Sequence, residues 1–308
     1  MKEEIVVTTT SFAKYDRTPL TLLDEKGFHL ILNPYGRRLN KNELVELSKD
    51  AVGIIAGTEQ IDASVLESLP KLKVISRCGI GIDNIDLDAT KRRGIKVLST
   101  PDAPTIAVAE LTVGLILNLL RKINHMDTLM KNWKWEKVMG SLLFGKKVGI
   151  IGFGRIGKKV SELLAPFDCE VRYYDIRTED EGQRTEAKGF RTDFESLLKI
   201  SDIVSIHVSL KERIIGENEI RIMKKGAWLV NASRGGVVDE NALYEALKEG
   251  YLAGAALDVF EDEPYTGPLR KLDNVILTPH IGSYALEARV KMERQAVENL
   301  LKGLEEGQ

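Results

Sequence analysis

The sequence has only two cysteines and few of the features that mark a membrane or fibrous protein. Cys78 and Cys169 lie far apart, with no cysteine or histidine at zinc-ligand spacing, so we expect two reduced thiols and neither a metal site nor a disulfide framework. Residues 106–120 form the longest apolar run, which is too short for a membrane span. The first residues lack the apolar core and cleavage site of a signal peptide, so we expect a cytoplasmic protein.

An excess of charge of one sign is also missing. The 44 basic and 46 acidic residues give a formal net charge of -2, so no general field would draw the protein to nucleic acid or to an anionic membrane. We expect neither partner. The 308 residues, 43% of them hydrophobic, are enough for two domains that each bury a core.

What the sequence does contain is an alternation of short apolar strands and amphipathic helices. The predicted strands include residues 52–56, 73–76, 96–98, 202–207, 227–231 and 253–258, and the predicted helices include 40–47 and 63–69. This alternation is typical of parallel sheets covered by helices, and it predicts two α/β domains.

The last predicted helix, residues 285–304, follows the second sheet, and we expect it to return to the first domain. The prediction is therefore a first domain of residues 1–99 and 285–308, a second domain of residues 100–284, and a ligand cleft between them.

The predicted helix at residues 106–120 is apolar on every side. Such a helix must be buried on every side. One face would contact its own domain and the other a second subunit, which predicts a homodimer through residues 104–122. A central helix in one large core is the alternative.

The most informative motif is a glycine-rich turn between an apolar strand and a helix. Gly152, Gly154 and Gly157 would let the chain turn tightly, let backbone amides approach a pyrophosphate, and let the helix pack close to the sheet. Asp175, eighteen residues beyond Gly157, could accept hydrogen bonds from the adenosine ribose hydroxyls. The motif predicts a dinucleotide, with NAD favoured over NADP because a carboxylate repels a 2′-phosphate. The positive charge of Arg177, two positions later, weakens the preference for NAD without reversing it.

Four further segments carry side chains suited to chemistry. They are residues 76–86, 230–236, 257–264 and 278–283. Three of them follow strand-like runs, and loops at the carboxyl ends of parallel strands converge. Taken singly, each residue has a structural interpretation. Arg234 could form a surface ion pair, Glu263 could be a solvated charge, and His280 could be a helix-cap residue. Together, the arginine could bind a carboxylate, the histidine could exchange a proton, and the glutamate could orient the histidine ring.

These motifs, in this order, resemble those of the D-isomer-specific 2-hydroxyacid dehydrogenases, above all the short phosphoglycerate dehydrogenase-like branch. The resemblance covers nearly the whole chain. It implies an α/β fold with a Rossmann NAD-binding domain and a flavodoxin-like substrate domain that the C-terminal helix completes. It also implies an NAD-dependent enzyme that interconverts a D-2-hydroxy acid and its 2-keto acid, with D-3-phosphoglycerate dehydrogenase of serine biosynthesis as one candidate.

The resemblance implies a role for each matching residue. The catalytic residues would be Arg234, Glu263 and His280. The cofactor would contact Gly152, Gly154, Arg155, Ile156, Gly157, Asp175, His207, Ala232, Asp258, His280 and Gly282. The substrate would contact Arg77, Ile80, Gly81 and Arg234.

The chain also departs from the family pattern. Residues 207–213 lack the usual proline after the histidine, which leaves the contact of His207 open. The turn at residues 55–58 lacks the arginine that often binds the substrate phosphate, although Arg77, Arg37, Arg38 or Lys14 could replace it.

Several alternatives therefore stay open. Within the family, they are a hydroxypyruvate or glyoxylate reductase, another D-2-hydroxyacid dehydrogenase, and oxidation of a small anion such as formate or phosphite. Outside enzymes, the alternative is an NAD-sensing corepressor-like binding protein. Cys78 lies beside a glycine turn, where a reactive role is conceivable.

Overall fold

The computed structural model describes residues 2–177, 189–210 and 212–306. Lys211, which belongs to the segment after His207, lies outside the described residues. The chain divides into two compact units. Unit 1 consists of Met1–Pro104 and Ser283–Gln308, and unit 2 consists of Thr105–Gly282. The domain boundaries that the sequence predicts, 99/100 and 284/285, lie a few residues from the boundaries of these units.

Strands and helices alternate along nearly the whole chain. The strands are β1 (Glu4–Val7), β2 (His29–Leu32), β3 (Ala51–Ala56), β4 (Val74–Arg77), β5 (Lys96–Ser99), β6 (Lys147–Ile151), β7 (Glu170–Tyr174), β8 (Phe190–Arg191), β9 (Ile203–Ile206), β10 (Trp228–Asn231), β11 (Gly254–Leu257) and β12 (Val275–Leu277). The helices are α1 (Thr18–Glu25), α2 (Lys41–Ser48), α3 (Ala63–Glu67), α4 (Leu87–Arg92), α5 (Thr105–Arg121), α6 (Ile123–Lys131), α7 (Arg155–Leu164), α8 (Phe194–Ile200), α9 (Glu217–Ile222), α10 (Glu240–Lys248) and α11 (Leu286–Glu305).

Unit 1 is built on a five-stranded parallel sheet with the order β2-β1-β3-β4-β5. This is the flavodoxin-like order, in which the chain reverses direction across the sheet between β1 and β3. Every residue of the central strand β3 is buried, as expected for a parallel strand covered on both faces. The C-terminal helix α11 packs against β3, β4 and β5 through apolar residues such as Ala296, Val297 and Leu300.

Unit 2 is built on a seven-stranded parallel sheet with the order β12-β11-β10-β9-β6-β7-β8. The chain starts in the middle at β6, runs outward to β8, and returns to β9 on the other side, which is the Rossmann arrangement. Ile150 and Ile151 of β6 belong to different core clusters because successive strand residues point to opposite faces. The predicted α/β fold class with two parallel sheets is confirmed.

Helix α5 is buried on one face only within the single chain. Its buried face includes Ala109, Leu115, Ile116 and Leu119, whereas Ile106 remains 43% exposed. One face therefore contacts its own unit, as the sequence predicts, and the contact of the other face with a second subunit stays a prediction. The alternative of a central helix buried on every side is not observed in the described part of the chain. Among the described helices, none is long and apolar enough to cross a membrane.

Candidate active site

The glycine turn joins β6 to α7 at the point where the strand order of unit 2 reverses. Gly152 has a φ of +89°, and a Cβ there would lie 2.5 Å from the carbonyl oxygen of His207. A Cβ on Gly157 would collide with the carbonyl oxygen of Gly152. Among the described residues, a Cβ on Gly154 would meet only Nη2 of Arg177, at 3.4 Å. The first and third glycines therefore allow close backbone packing, and the second leaves open space beside the helix.

Helix α7 begins at this open space. The N–H groups of Arg155 and Ile156 precede the first intrahelical hydrogen bond, which Lys158 N donates to the Gly154 carbonyl over 2.9 Å. Such leading N–H groups, together with the helix dipole, favour an anion at the helix N-terminus. The turn can therefore hold a pyrophosphate.

Asp175 lies just beyond the end of β7 and is 8% exposed. Its carboxylate accepts hydrogen bonds from the backbone N–H of Phe153 (2.7 Å) and of Arg177 (2.9 Å), and it pairs with the Arg177 guanidinium at 3.0 Å. Burial by itself raises the pKa of Asp175, but the hydrogen bonds from Arg177 and Phe153 outweigh it and lower the pKa to about 2. The carboxylate is therefore ionised and fixed in place.

His280 and Glu263 form a hydrogen-bonded pair in unit 2. Nδ1 of His280 lies 3.1 Å from Oε1 and 3.0 Å from Oε2 of Glu263. This hydrogen bond raises the pKa of His280 above its usual range, although burial and the charge of nearby Arg234 act the other way. Because Nδ1 is bound, Nε2 is the ring nitrogen that can exchange a proton with a ligand.

Asp258 holds the backbone on either side of His280. Its Oδ1 accepts hydrogen bonds from the Thr278 hydroxyl (2.6 Å) and the Ile281 N–H (2.8 Å), and its Oδ2 accepts one from the Gly282 N–H (2.8 Å). His280 itself has a φ of +55°, a left-handed conformation that costs a non-glycine residue about 1–2 kcal/mol. The buried carboxylate stabilises this strained turn and thereby positions the histidine.

Arg234 lies in the loop that follows β10. The Asn231 side chain donates a hydrogen bond to the Arg234 carbonyl oxygen over 2.9 Å and so shapes the loop. A Cβ on Gly235 would collide with the backbone of Phe260, so this loop lies directly against the segment that leads to Glu263. The Phe260 N–H also donates to Oε1 of Glu263 over 3.2 Å. Unit 2 thus brings together Arg234, Glu263 and His280 from three loops.

The predicted substrate loop of unit 1 follows β4. The guanidinium of Arg77 donates to the Cys78 carbonyl and packs against Gly79, where a Cβ would lie 2.6 Å from Nη1. Ile80 and Gly81 follow and are half-buried. Burial raises the pKa of the Cys78 thiol to about 11, so the thiol stays protonated near neutral pH, which argues against a reactive role.

Comparison with known proteins places the chain in a family. A model of the NAD-binding domain of D-isomer specific 2-hydroxyacid dehydrogenases matches residues 113–282. The chain is 46% identical over 255 residues to a glyoxylate reductase of Thermofilum pendens, an alignment that covers 79% of this chain and 75% of that protein. The chain belongs to the D-isomer specific 2-hydroxyacid dehydrogenases. It is an NAD-dependent oxidoreductase that interconverts 2-hydroxy and 2-keto acids.

Relatives within this family have different names. The chain is 38% identical to a hydroxypyruvate reductase of Thermotoga maritima, with 92% of this chain and 96% of that protein aligned. It is 43% identical to a D-3-phosphoglycerate dehydrogenase of Methanocaldococcus jannaschii over 82% of this chain, but the alignment covers only 49% of that protein.

Solved structures show the same fold over almost the full length. The TT0316 protein of Thermus thermophilus gives a TM-score of 0.90 at 36% identity, and the alignment covers 98% of this chain and 97% of that one. D-lactate dehydrogenase of Aquifex aeolicus, solved with NAD and lactic acid, gives 0.82 at 28% identity and covers 99% and 96%.

The structure of this 2-hydroxyacid dehydrogenase fits an NAD molecule at the glycine turn. Besides the space above Gly154, one buried polar atom beside the turn lacks a protein partner among the described residues: Nδ1 of His207. The Nε2 of His207 lies 2.8 Å from the Ser205 hydroxyl, and burial lowers the pKa of the ring to about 3, so the ring is neutral. Its open nitrogen can bind a polar group of a ligand.

Two residues of this dehydrogenase site had no role in the sequence interpretation. Thr278 binds Asp258, and Asn231 shapes the arginine loop. Asn231 is the last residue of β10, and Thr278 directly follows the short strand β12, which precedes His280. A polar residue at or directly after the carboxyl end of a strand is the signal that could have identified them.

Proposed function

We propose that this chain uses NADH to reduce small, unphosphorylated 2-keto acids, such as glyoxylate and hydroxypyruvate, to the corresponding 2-hydroxy acids, with the D configuration wherever C2 of the product is chiral. The observation that carries the reaction is the pair of His280 with Glu263 near Arg234, because it joins a proton donor to a carboxylate-binding cation. The names of the relatives from Thermofilum pendens and Thermotoga maritima support the substrate class.

Each member of this trio has a distinct role in the proposal. The planar guanidinium of Arg234 binds the substrate carboxylate through two parallel hydrogen bonds. His280 donates the proton on Nε2 to the carbonyl oxygen during reduction and takes it back in the reverse direction, a contribution of about 10² to 10⁴ in rate. Glu263 keeps Nδ1 protonated and stabilises the charged ring. In unit 1, Arg77 and the backbone amides of Ile80 and Gly81 contact the substrate.

NAD supplies or accepts the hydride when it is bound. We propose that the following residues hold it: Gly152, Gly154, Arg155, Ile156, Gly157, Asp175, His207, Ala232, Asp258, His280 and Gly282. The ionised Asp175 accepts hydrogen bonds from the ribose hydroxyls and repels a 2′-phosphate, which favours NAD over NADP.

The positions and contacts of cationic side chains in unit 1 support the proposal that the substrate carries no phosphate. The turn at residues 55–58 has no arginine. The guanidinium of Arg37 is engaged by both oxygens of Glu43, at 2.8 and 2.6 Å. Lys14 lies over the ring of Tyr15, 5.6 Å from its centroid. D-3-Phosphoglycerate is the second candidate substrate because the relative from Methanocaldococcus jannaschii carries that name.

We also propose a homodimer through residues 104–122. The half-covered face of α5 supports it, and so does the adjacent apolar surface of α6, in which no residue is buried. The nearby side chains of Trp133 and Trp135 are 97% and 81% exposed. Cytoplasmic location stays a prediction.

A substrate panel tests the proposed activity. We expect NADH-dependent reduction of glyoxylate and hydroxypyruvate, with kcat/KM at least about tenfold above that for 3-phosphohydroxypyruvate, since the turn at residues 55–58 offers no arginine to a phosphate. NADPH should support lower rates than NADH. A preference for 3-phosphohydroxypyruvate would favour the second candidate substrate, and inactivity on the whole panel would contradict the proposal.

A further inference from the structure

The hydrogen-bonding capacity of Asp175 is fully used within unit 2. Its Oδ1 accepts from the backbone N–H and from Nε of Arg177, over 2.9 and 3.1 Å. Its Oδ2 accepts from the Phe153 N–H and from Nη2 of Arg177, over 2.7 and 3.0 Å. An ionised carboxylate offers about four acceptor sites, two on each oxygen. A ribose hydroxyl that binds Asp175 therefore has to displace one of these donors.

The side chain of Arg177 is the donor that can leave. The other two donors are backbone N–H groups of the glycine turn and of the turn after β7. Nη2 of Arg191 donates to the carbonyl oxygens of Asp175 and Arg177, over 3.1 and 3.3 Å, and so holds the backbone of the second turn. The Arg177 side chain is 66% exposed, and an ion pair of an exposed side chain contributes little to stability. Its guanidinium can therefore leave Asp175 at a small cost while the backbone stays in place.

The same guanidinium borders the space in which we expect the cofactor. Among the described residues, Nη2 of Arg177 is the only atom within 4 Å of a Cβ placed on Gly154, at 3.4 Å. Helix α7, whose leading N–H groups can bind a pyrophosphate, begins at the next residue. An arginine in a protein keeps its charge at any pH at which an enzyme works, so its bond to Asp175 depends on no titration of its own.

We propose that Arg177 competes with the adenosine ribose for Asp175, and that its guanidinium leaves the carboxylate when both ribose hydroxyls bind. The inference rests on the proposed function, since it takes Asp175 as the group that binds the ribose. The free energy of the ion pair that is given up reduces the net gain from the two hydroxyls. Arg177 thereby sets how strongly the enzyme distinguishes a ribose from a sugar without these hydroxyls.

ADP and 2′,3′-dideoxy-ADP measure this competition, because they carry the same charge and differ only in the two hydroxyls. Displacement of NADH, followed by its fluorescence, gives the Kd of each. We expect the ratio of the Kd of dideoxy-ADP to that of ADP to rise about threefold or more in Arg177→Met, because the hydroxyls no longer displace an ion pair. Arg177→Lys keeps the charge but lacks the planar fork, so its ratio should be intermediate.

Arg172→Met is the matched control. It removes an arginine of the same strand region, which pairs with Glu170 at 2.6 Å, and it should keep the wild-type ratio. A wild-type ratio in folded Arg177→Met would overturn the inference.

Ionic strength tests the same competition in the unmodified enzyme. Salt screens an exposed ion pair more than it weakens the hydrogen bonds of uncharged hydroxyls, and the equal charge of the two ligands cancels its general effect on binding. We expect the wild-type ratio to increase with salt and the Arg177→Met ratio to stay constant. A wild-type ratio that does not respond to salt would contradict the competition.

The outcomes separate this inference from the proposal on which it rests. A ratio above one that neither Arg177→Met nor salt changes would overturn the competition and leave the contact between Asp175 and the ribose intact. Equal dissociation constants for ADP and dideoxy-ADP in both the wild type and Arg177→Met would instead overturn that contact and the competition with it.

Discussion

At the scale of single residues, an exposed carboxylate, Glu263, and a buried one, Asp258, have different roles around His280. Glu263 binds the ring and is the main cause of the raised pKa of His280. The printed hydrogen bonds of Asp258 go to the backbone and the Thr278 hydroxyl around the ring, and its charge adds to the rise in pKa. The sequence resemblance had assigned Asp258 to the cofactor. In the structure, its oxygens accept three hydrogen bonds from the histidine loop, so we expect a positioning role in addition to any contact with NAD.

Replacing Glu263 by glutamine should change the pH dependence of the enzyme. The hydrogen bond with Glu263 raises the pKa of His280, so the protonated ring persists to higher pH than in an ordinary histidine. Reduction needs that proton, and its kcat/KM should therefore fall as pH rises through the His280 pKa. In Glu263→Gln the fall should move to lower pH, and the rate near neutral pH should drop about tenfold or more.

The reverse reaction provides the internal check. Oxidation needs the unprotonated ring, so its rate should rise with pH through the same pKa, and Glu263→Gln should shift that rise in the same direction. Asp262→Asn makes an equal change of charge on an exposed neighbour and should leave both profiles in place. Profiles that do not move in Glu263→Gln would show that the pair does not set the proton affinity of the catalytic group.

At the scale of elements, two glycines of the turn between β6 and α7 have separate roles. Gly157 allows close packing of the helix, and Gly154 leaves space for the cofactor. Gly157→Ala would force the helix away from the strand, because its Cβ would collide with the Gly152 carbonyl. We expect a loss of about 1–3 kcal/mol in the free energy of unfolding and weaker NADH binding.

Gly154→Ala places a Cβ that meets only the tip of the Arg177 side chain among the described residues, at 3.4 Å. It should keep the melting temperature of the cofactor-free protein and still weaken NADH binding.

Thermal melts and fluorescence titration with NADH measure the two effects separately. Each variant serves as the control for the other, since only Gly157→Ala should reduce stability. If Gly154→Ala binds NADH like the wild type, the space above this glycine does not hold the pyrophosphate.

The sequence predicted these elements well because their signals are local. The strand predicted at residues 52–56 is observed as Ala51–Ala56, and the last helix predicted at 285–304 is observed as Leu286–Glu305. Glycine spacing and apolar periodicity depend on neighbouring residues alone. The contacts of Asp258 and Glu59 depend on where distant loops meet. No local pattern shows that Thr8 contacts Glu59 across fifty-one positions.

At the scale of the whole molecule, the apolar surface of unit 2 is larger than one chain covers. Ile123 and Met130 of α6 are 52% and 51% exposed, and Met139 beyond it is 89% exposed. Exposed apolar side chains of this number favour an interaction site in this part of unit 2. The apolar pattern of α5 pointed to such a surface, but residues 134–143, which include Met139, form no helix or strand and gave no signal in the sequence.

The proposed homodimer predicts a measurable change in mass. The wild type should behave as a dimer of 34.4 kDa chains in light scattering coupled to gel filtration. Placing two charges on α6, as Ile123→Glu with Met130→Glu, should produce a folded monomer, because uncompensated charges are costly in a buried interface. Phe190→Ser removes a 65% exposed ring from the edge strand β8 and should stay dimeric. A monomeric wild type would contradict the proposal, whereas a double variant that remains a dimer would exclude α6 from the interface and leave α5 as its remaining site.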